Sequence, residues 1–324
     1  MENQNSVAYV GKIGSVSEIP GADNIELVTV GGWNAITKKG EYKEGDLVVV
    51  ATTDAVIPQK LSDGLGVTNY LRKGQRVRTV KLRGVYSECL LMSTTFVPEK
   101  YRYEGSDCME LLEIFKYEPP AKTITLVSGG RKVKYHQNPN FHVYYKFPNQ
   151  KNVPDMFNEE DMVVITRKLH GTNARYGIVR KKKLSLWDRV KMFFGDRWAG
   201  FEYVYGSHNV EKGSDSQGFY STDVWDDVAV KYDILEVDGK YEGYPAEAAH
   251  FDVLDLPQVE LLYWGHWNKE KQDSYVFNNF IKGTKVPHEG IIVKHESGVR
   301  SKVSKVINPD YLIYGEKNNV GDSH

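Results

Sequence analysis

The chain is 324 residues long, 40% hydrophobic and 26% charged, with a formal net charge of −1. That length accommodates two domains with a core each, and the near-neutral balance excludes a positive field over the whole molecule, so any contact with nucleic acid rests on local patches. No apolar run reaches the roughly 18 residues that a membrane helix needs, the polar start Met1-Glu2-Asn3-Gln4-Asn5 lacks the apolar core of a secretion signal, and two cysteines, Cys89 and Cys108, make neither a disulfide framework nor a zinc site. The expectation is a cytoplasmic location with no membrane partner. The 21 tyrosines and 6 tryptophans serve either cores and sheet faces or surfaces on which bases stack.

Residues 1 to about 115 read as short strands between turn clusters: Val7–Val10, Glu26–Val30, Asn34–Thr37, Asp46–Thr52, Val77–Leu82 and Glu88–Ser93. Gly31-Gly32, Lys38-Lys39-Gly40 and Arg83-Gly84 supply the turns. Short strands at this spacing, without helical patterns between them, predict a small antiparallel barrel or sandwich. The stretch from Ile19-Pro20-Gly21-Ala22 through Gly31-Gly32-Trp33 resembles the opening of OB (oligonucleotide/oligosaccharide-binding) modules related to tRNA-binding domains. Six basic residues, Arg72, Lys73, Arg76, Arg78, Lys81 and Arg83, then cluster within a dozen positions. They form either a phosphate-contacting surface or a charged edge strand that blocks aggregation.

Tyr117-Glu118-Pro119-Pro120 breaks this pattern and opens a connector over residues 116–160. Its later part, Asn138 to Pro148, is polar and aromatic and reads as an extended segment laid over the second domain, residues 161–324. There the apolar run Met162–Ile165 predicts a buried strand that delivers Lys168, followed at once by Gly171 and Asn173. Ala174–Val179 is a further strand, and the cations of Arg180-Lys181-Lys182-Lys183 are either a hairpin tip or part of a nucleic-acid path. Leu186, Val190 and Phe193-Phe194 fall on one helical face, and Gly195 ends that helix. Tyr203–Tyr205, Tyr232–Val237, Val259–Gly265, Gly290–Lys294 and the region from Arg300 to Tyr311 complete the strand-like pattern. The histidines lack metal-ligand spacing, and no Walker loop, dinucleotide fingerprint or Gly-x-Ser-x-Gly occurs.

Taken together these segments resemble the covalent nucleotidyltransferase superfamily of ATP-dependent ligases and mRNA capping enzymes. Lys168-Leu169-His170-Gly171 resembles its nucleophile motif, Ser207-His208-Asn209 the next, Tyr232-Asp233-Ile234 the aromatic-Asp-Ile motif, Glu289 to Lys294 the Glu-Gly motif that ends in lysine, and Lys302 with Lys305 the last. An OB-like module at the N-terminus and Asn173 five residues after the lysine are similar to one branch, the ATP-dependent RNA ligases. The resemblance implies an α+β chain: an OB-fold β-barrel, then an ATP-grasp-like nucleotidyltransferase domain of antiparallel sheets with flanking helices. It implies an enzyme that joins RNA 3′-hydroxyl and 5′-phosphate ends in RNA repair, a monomer, with ATP and Mg²⁺ (or Mn²⁺). Lys168 would be the nucleophile. Gly171, Asn173, Tyr232, Glu289, Lys294, Lys302 and Lys305 would bind the nucleotide, Tyr232 by stacking on adenine, and Glu289 would hold the metal or the ribose.

Lysine is protonated at neutral pH and cannot attack phosphorus until burial or nearby cations lower its pKa. Lys294, Lys302 or Lys305 beside Lys168 would do so. Two departures from the family stand out. Arg167 occupies a position where related ligases often carry Glu, and no Gly-Glu motif lies between Asn209 and Tyr232, so Glu236 or Glu242 would have to substitute. That second departure keeps open a non-catalytic RNA- or nucleotide-binding protein, and a DNA-end ligase is a third reading.

Overall fold

The computed structural model describes residues 6–71, 75–117, 127–128, 131–132, 138–141, 147–169, 175–206, 211–212, 228, 231, 259–299 and 301–318. In chain order the N-terminal part comprises β1 (Ala8–Glu18), β2 (Ile25–Val30), β3 (Trp33–Lys38), β4 (Leu47–Thr52), β5 (Ala55–Val56), α1 (Gln59–Gly64), β6 (Val80–Leu82), β7 (Val85–Ser87), β8 (Cys89–Ser93) and β9 (Phe115–Lys116). A short hairpin, β10 (Val127–Ser128) with β11 (Arg131–Lys132), follows. Then come β12 (Met162–Lys168), β13 (Arg175–Arg180), α2 (Leu186–Phe193), β14 (Phe201–Gly206), β15 (Glu211–Lys212), β16 (Leu261–His266), α3 (Lys269–Ser274), β17 (Gly290–His295), β18 (Val303–Ile307) and α4 (Pro309–Lys317). The class is α+β, with antiparallel sheets and short flanking helices.

Backbone contacts divide the chain into two compact units. The first joins residues 1–119, 147–170 and 259–322, and the second joins 120–146 and 171–258 with the last two residues. In the first unit, β3-β2-β1-β4-β8 form an antiparallel sheet. The long β1 serves both halves of it: Ala8–Lys12 pair with β4, Ile13–Glu18 with β2, and a bulge between Ile13 and Ser15 turns the strand. In β4, alternation sends Val49 and Ala51 into one core with Val10, Ile57 and Met92, while Val48 and Val50 enter another with Ile13, Val28 and Trp33. Both faces are apolar because both are covered. The expected strand Val77–Leu82 is shorter than its pattern; only Val80–Leu82 pair with β7, while Val77 exchanges backbone bonds with Asp54 and Ala55.

The same unit contains the sheet β16-β12-β17-β18. Register fixes its two faces. Val163, Ile165, Ile291, Val293 and Val306 form a core with Phe157 and Val276. The alternate residues Val164, Thr166, Lys168, Ile292, Lys294 and Lys305 share the opposite face. The turn between β2 and β3 lies against Lys151: a Cβ on Gly32 would come within 2.5 Å of Lys151 Cα, so only glycine fits. Trp33 Nε1 donates to Asn152 Oδ1 at 3.0 Å, and Lys151 Nζ pairs with the buried Glu88.

In the second unit β13, β14 and β15 form an antiparallel sheet. Phe141 packs beside Gly177 beneath the Arg175 guanidinium, 4.2 Å from its ring centroid, and Asn138 donates to Arg180 O at 2.8 Å. Part of the connector thus lies along β13. Ser185 caps α2 in a reciprocal box with Asp188.

Ile291 is fully buried at the centre of its core. Ile291→Ala is expected to lower unfolding free energy by about 2–5 kcal/mol, read as a shifted urea midpoint with an unchanged slope.

Candidate active site

β12 ends at Lys168, and the antiparallel register sets Lys168 opposite Gly290, the first residue of β17. Glu289 therefore sits beside the lysine, and Lys168 Nζ donates to Glu289 Oε1. The carboxylate is 3% exposed and the lysine 20%. Gly290 makes this approach feasible. Its φ is +151°, and a Cβ there would lie 2.1 Å from the Val306 carbonyl oxygen. Asn308, fully buried, fixes the turn from below: its backbone N–H donates to Glu289 O at 2.9 Å and its side-chain amide to His288 O at 3.1 Å.

Glu289 Oε2 is buried and, among the described residues, has no hydrogen-bond partner. A buried carboxylate oxygen left unpaired costs folding free energy. It is a hard oxygen donor beside a cation, the donor type that Mg²⁺ and Mn²⁺ take, and such ions commonly use one or two protein carboxylates and fill the rest of their shell with phosphate and water. The geometry fits a divalent ion held by Glu289 together with a bound polyphosphate. Among the described residues no three His, Cys, Asp or Glu side chains gather into a metal cluster.

Lys305 lies two pairs along the sheet from Lys168, on the same face, through Thr166 and Ile292. Burial, reinforced by the Lys116 and Lys168 ammonium groups, pushes Lys305 down to about 8, against the opposing pull of Asp54 and Glu289. Lys294 occupies the next level of the same face, paired with Val164, and is exposed. Lys302 lies elsewhere: its Nζ is 2.6 Å from Asp161 Oδ1 at the far end of β12, where His295 Nε2 also approaches within 3.4 Å. The sheet brings Lys168, Glu289, Lys305 and Lys294 together and leaves Lys302 outside that group. Gly171, Asn173 and Tyr232, together with Ser207-His208-Asn209 and the interval where the Gly-Glu motif is missing, lie outside the described residues.

Arg167 points to the core face. Its Nε donates to Glu260 Oε2 at 3.1 Å and Nη1 to Tyr275 O at 3.2 Å. Alternation alone puts it on the side away from Lys168. Asn308, Asp54 and Lys116 belong to the site's surroundings and were not picked out by sequence reasoning. Asn308 carried the one available signal, a helix cap before Pro309.

The basic cluster of the N-terminal part is largely committed to internal pairs. Arg76 Nε donates to Asp54 Oδ1 at 2.9 Å and the guanidinium lies 4.0 Å over the Tyr117 ring. Arg78 pairs with Glu316 of α4 at 3.0 Å, and Lys81 with Tyr86 at 3.0 Å and Asp310 at 3.6 Å. Arg72 and Lys73 are not among the described residues.

Below about pH 8 both folded and unfolded chains hold the Lys305 proton, and the fold bears its full desolvation cost. Between about 8 and the ordinary value of 10.5 the unfolded chain binds more protons, so stability rises with pH in that window. Lys305→Met is expected to be more stable than wild type at pH 7, with the gap closing by about pH 10. Parallel urea midpoints for the two proteins across that range would refute the assignment.

The sequence matches an OB-fold domain model over residues 7–94. Comparison with curated proteins returns no match. Among solved structures, a ligand-free variant of Naegleria gruberi RNA ligase superimposes with a TM-score of 0.71 at 21% identity, covering 96% of this chain and 98% of that one. The same ligase with pyrophosphate gives 0.71 and 21%, covering 98% and 100%. A variant with ATP and manganese gives 0.71 and 22%, covering 96% and 99%. The chain has the fold of that ligase along nearly its whole length.

Proposed function

We propose that this chain is an ATP-dependent RNA ligase acting in RNA repair. The observation that carries the reading is the Lys168–Glu289 pair at facing strand ends, with one buried carboxylate oxygen unpaired. The fold shared with an RNA ligase whose structures hold ATP, manganese or pyrophosphate supports it.

In this reading Lys168 Nζ, in its neutral form, attacks the α-phosphate of ATP. A P–N bond forms, the bond to the bridging oxygen breaks, and pyrophosphate leaves with the electron pair. Glu289 holds Nζ at the strand end and stands ready to accept the proton the lysine loses. Lys305 and Lys294, on the same sheet face, take up charge on the phosphates. A divalent cation, Mg²⁺ or Mn²⁺, when bound, offsets negative charge on the same oxygens; Glu289 Oε2 is the ligand the chain offers it. AMP then passes from the lysine to an RNA 5′-phosphate, and the 3′-hydroxyl of the second end displaces it. Gly171, Asn173 and Tyr232 complete the nucleotide site in this proposal, and Lys302 acts from a distance through Asp161.

The functional division that accompanies this reading is an OB module over 1–115, a connector over 116–160 and the nucleotidyltransferase over 161–324. A monomer in the cytoplasm, of a cell or of the host of a virus that encodes it, is the setting proposed. Among the described residues no helix is long and apolar enough to cross a membrane.

Incubation with ATP radiolabelled at its α-phosphate, plus Mg²⁺ or Mn²⁺, is expected to label the wild-type protein covalently. Lys168→Ala should abolish the label, and Glu289→Gln should slow labelling by about 10–100-fold. An unlabelled wild type that still binds RNA would sink the ligase reading in favour of a non-catalytic binder. Nicked duplexes with a ribose or a deoxyribose at the 3′-hydroxyl decide between RNA and DNA ends.

A further inference from the structure

The segment from Arg180 to Asp196 carries six cations against two anions in a chain whose net charge is −1. It contains α2, and α2 is turned outward. At 100° per residue, Leu186, Val190 and Phe193 line one side of the helix, flanked by Trp187 and Phe194. An apolar arc of that width ordinarily faces a core. Here Leu186 is 79% exposed, Trp187 75%, Phe193 86% and Phe194 82%. The helix is held to its own unit from the other side. Met192 turns toward Gly200, where a Cβ would lie 3.2 Å from its sulfur, and Asp188 closes the cap and pairs with Lys181 at 2.7 Å.

Cations border the arc. Arg189 and Lys191 flank it on the helix, and Lys182 and Lys183 lead into it. Among the described residues none of these four has an ion-pair partner, in contrast to Arg76, Arg78 and Lys81 of the N-terminal part, which are all paired internally. Unpaired cations beside exposed rings match a ligand that presents phosphates and flat apolar faces on one strand. Three of the five outward residues of the arc are aromatic, and rings accept any base by stacking.

We propose that the outward face of α2, with Lys182, Lys183, Arg189 and Lys191, is a docking surface for single-stranded RNA, its rings stacking on bases and its cations meeting phosphates. The proposal rests on the ligase reading for its choice of polyanion. It assigns RNA contact to the nucleotidyltransferase part of the chain, where the sequence pointed first to the OB module.

The test is equilibrium anisotropy with a fluorescent, 5′-phosphorylated, unstructured RNA oligonucleotide at several salt concentrations. The triple variant Trp187→Ala, Phe193→Ala, Phe194→Ala is expected to bind about tenfold or more weakly with an unchanged salt slope, since stacking releases no counterions. The variant Lys182→Glu, Lys183→Glu should bind more weakly with a salt slope smaller by about 1–2. The control Lys282→Glu, Lys285→Glu, exposed cations outside the patch, should bind as wild type. RNA affinity within twofold of wild type in both patch variants overturns the proposal. That holds equally if those variants instead lose binding to phosphatidylglycerol vesicles, which would assign the patch to an anionic membrane, or lose a wild-type dimer on sizing. Wild-type protein that fails to label with ATP yet binds RNA through this face refutes the ligase reading alone and supports the RNA surface.

Discussion

Lys168 and Glu289 are 121 residues apart in the chain and meet because β12 and β17 pair in one register. A shift of one residue in that register would send Lys168 into the core face and Arg167 out of it. The register is held by the alternation on the buried side, where Val163, Ile165, Ile291 and Val293 interlock. It is held again by Gly290, whose backbone lies so close to Val306 that no side chain fits. The site geometry is therefore a by-product of core packing on the reverse of the same sheet. Among the described residues Glu289 has a buried oxygen without a partner, a cost that a stability-optimised turn would not carry.

The N-terminal part is fastened by charge to the elements around this sheet. Arg78 reaches Glu316 and Lys81 reaches Asp310, both on α4, while Lys151 reaches Glu88. Lys151 and Glu88 are both largely buried, and breaking one partner of such a pair leaves an uncompensated charge inside. The consequence extends to chemistry. Asp54 and Lys116, from the N-terminal part, are among the charges felt by Lys305. The N-terminal part thus contributes to the electrostatic environment of Lys305 on the second sheet, and cations that read as an RNA-binding patch in one dimension act as internal fastenings in three.

Much of this was legible in the sequence. Alternation marked β12 and β17, and the Lys-x-x-Gly and Glu-Gly segments marked the strand ends at which Lys168 and Glu289 meet. Positions that depend on partners distant in sequence were not legible. Lys302 stands three residues from Lys305, but its partner Asp161 lies 141 residues away, and strand geometry then points the two lysines to different sites. Arg167 looked like a substitution beside Lys168; its place on the opposite face, held by Glu260, separates it from the Lys168–Glu289 pair. For α2, periodicity identified the apolar face but not its direction. A helical repeat records which residues share a side, and only the surrounding structure determines whether that side is covered.

The sheet face carrying Lys168 has a further regularity. Lys168 pairs at the level of Gly290, Lys305 at the level of Ile292, and Lys294 one level beyond. Each level is two residues along the strands, about 6.6 Å. Three lysines from three different strands therefore descend one face at even intervals, Lys168 at one end beside the Glu289 carboxylate. Burial, reinforced by the Lys116 and Lys168 ammonium groups, disfavours charge on the most enclosed of the three, which is why Lys305 has the depressed pKa. An elongated polyanion laid along this face would meet the three cations in turn and relieve the repulsion among them. Its binding would raise the proton affinity of Lys305 while placing its terminal phosphates away from Lys168. The arrangement thereby couples the binding of such a polyanion to the protonation of Lys305.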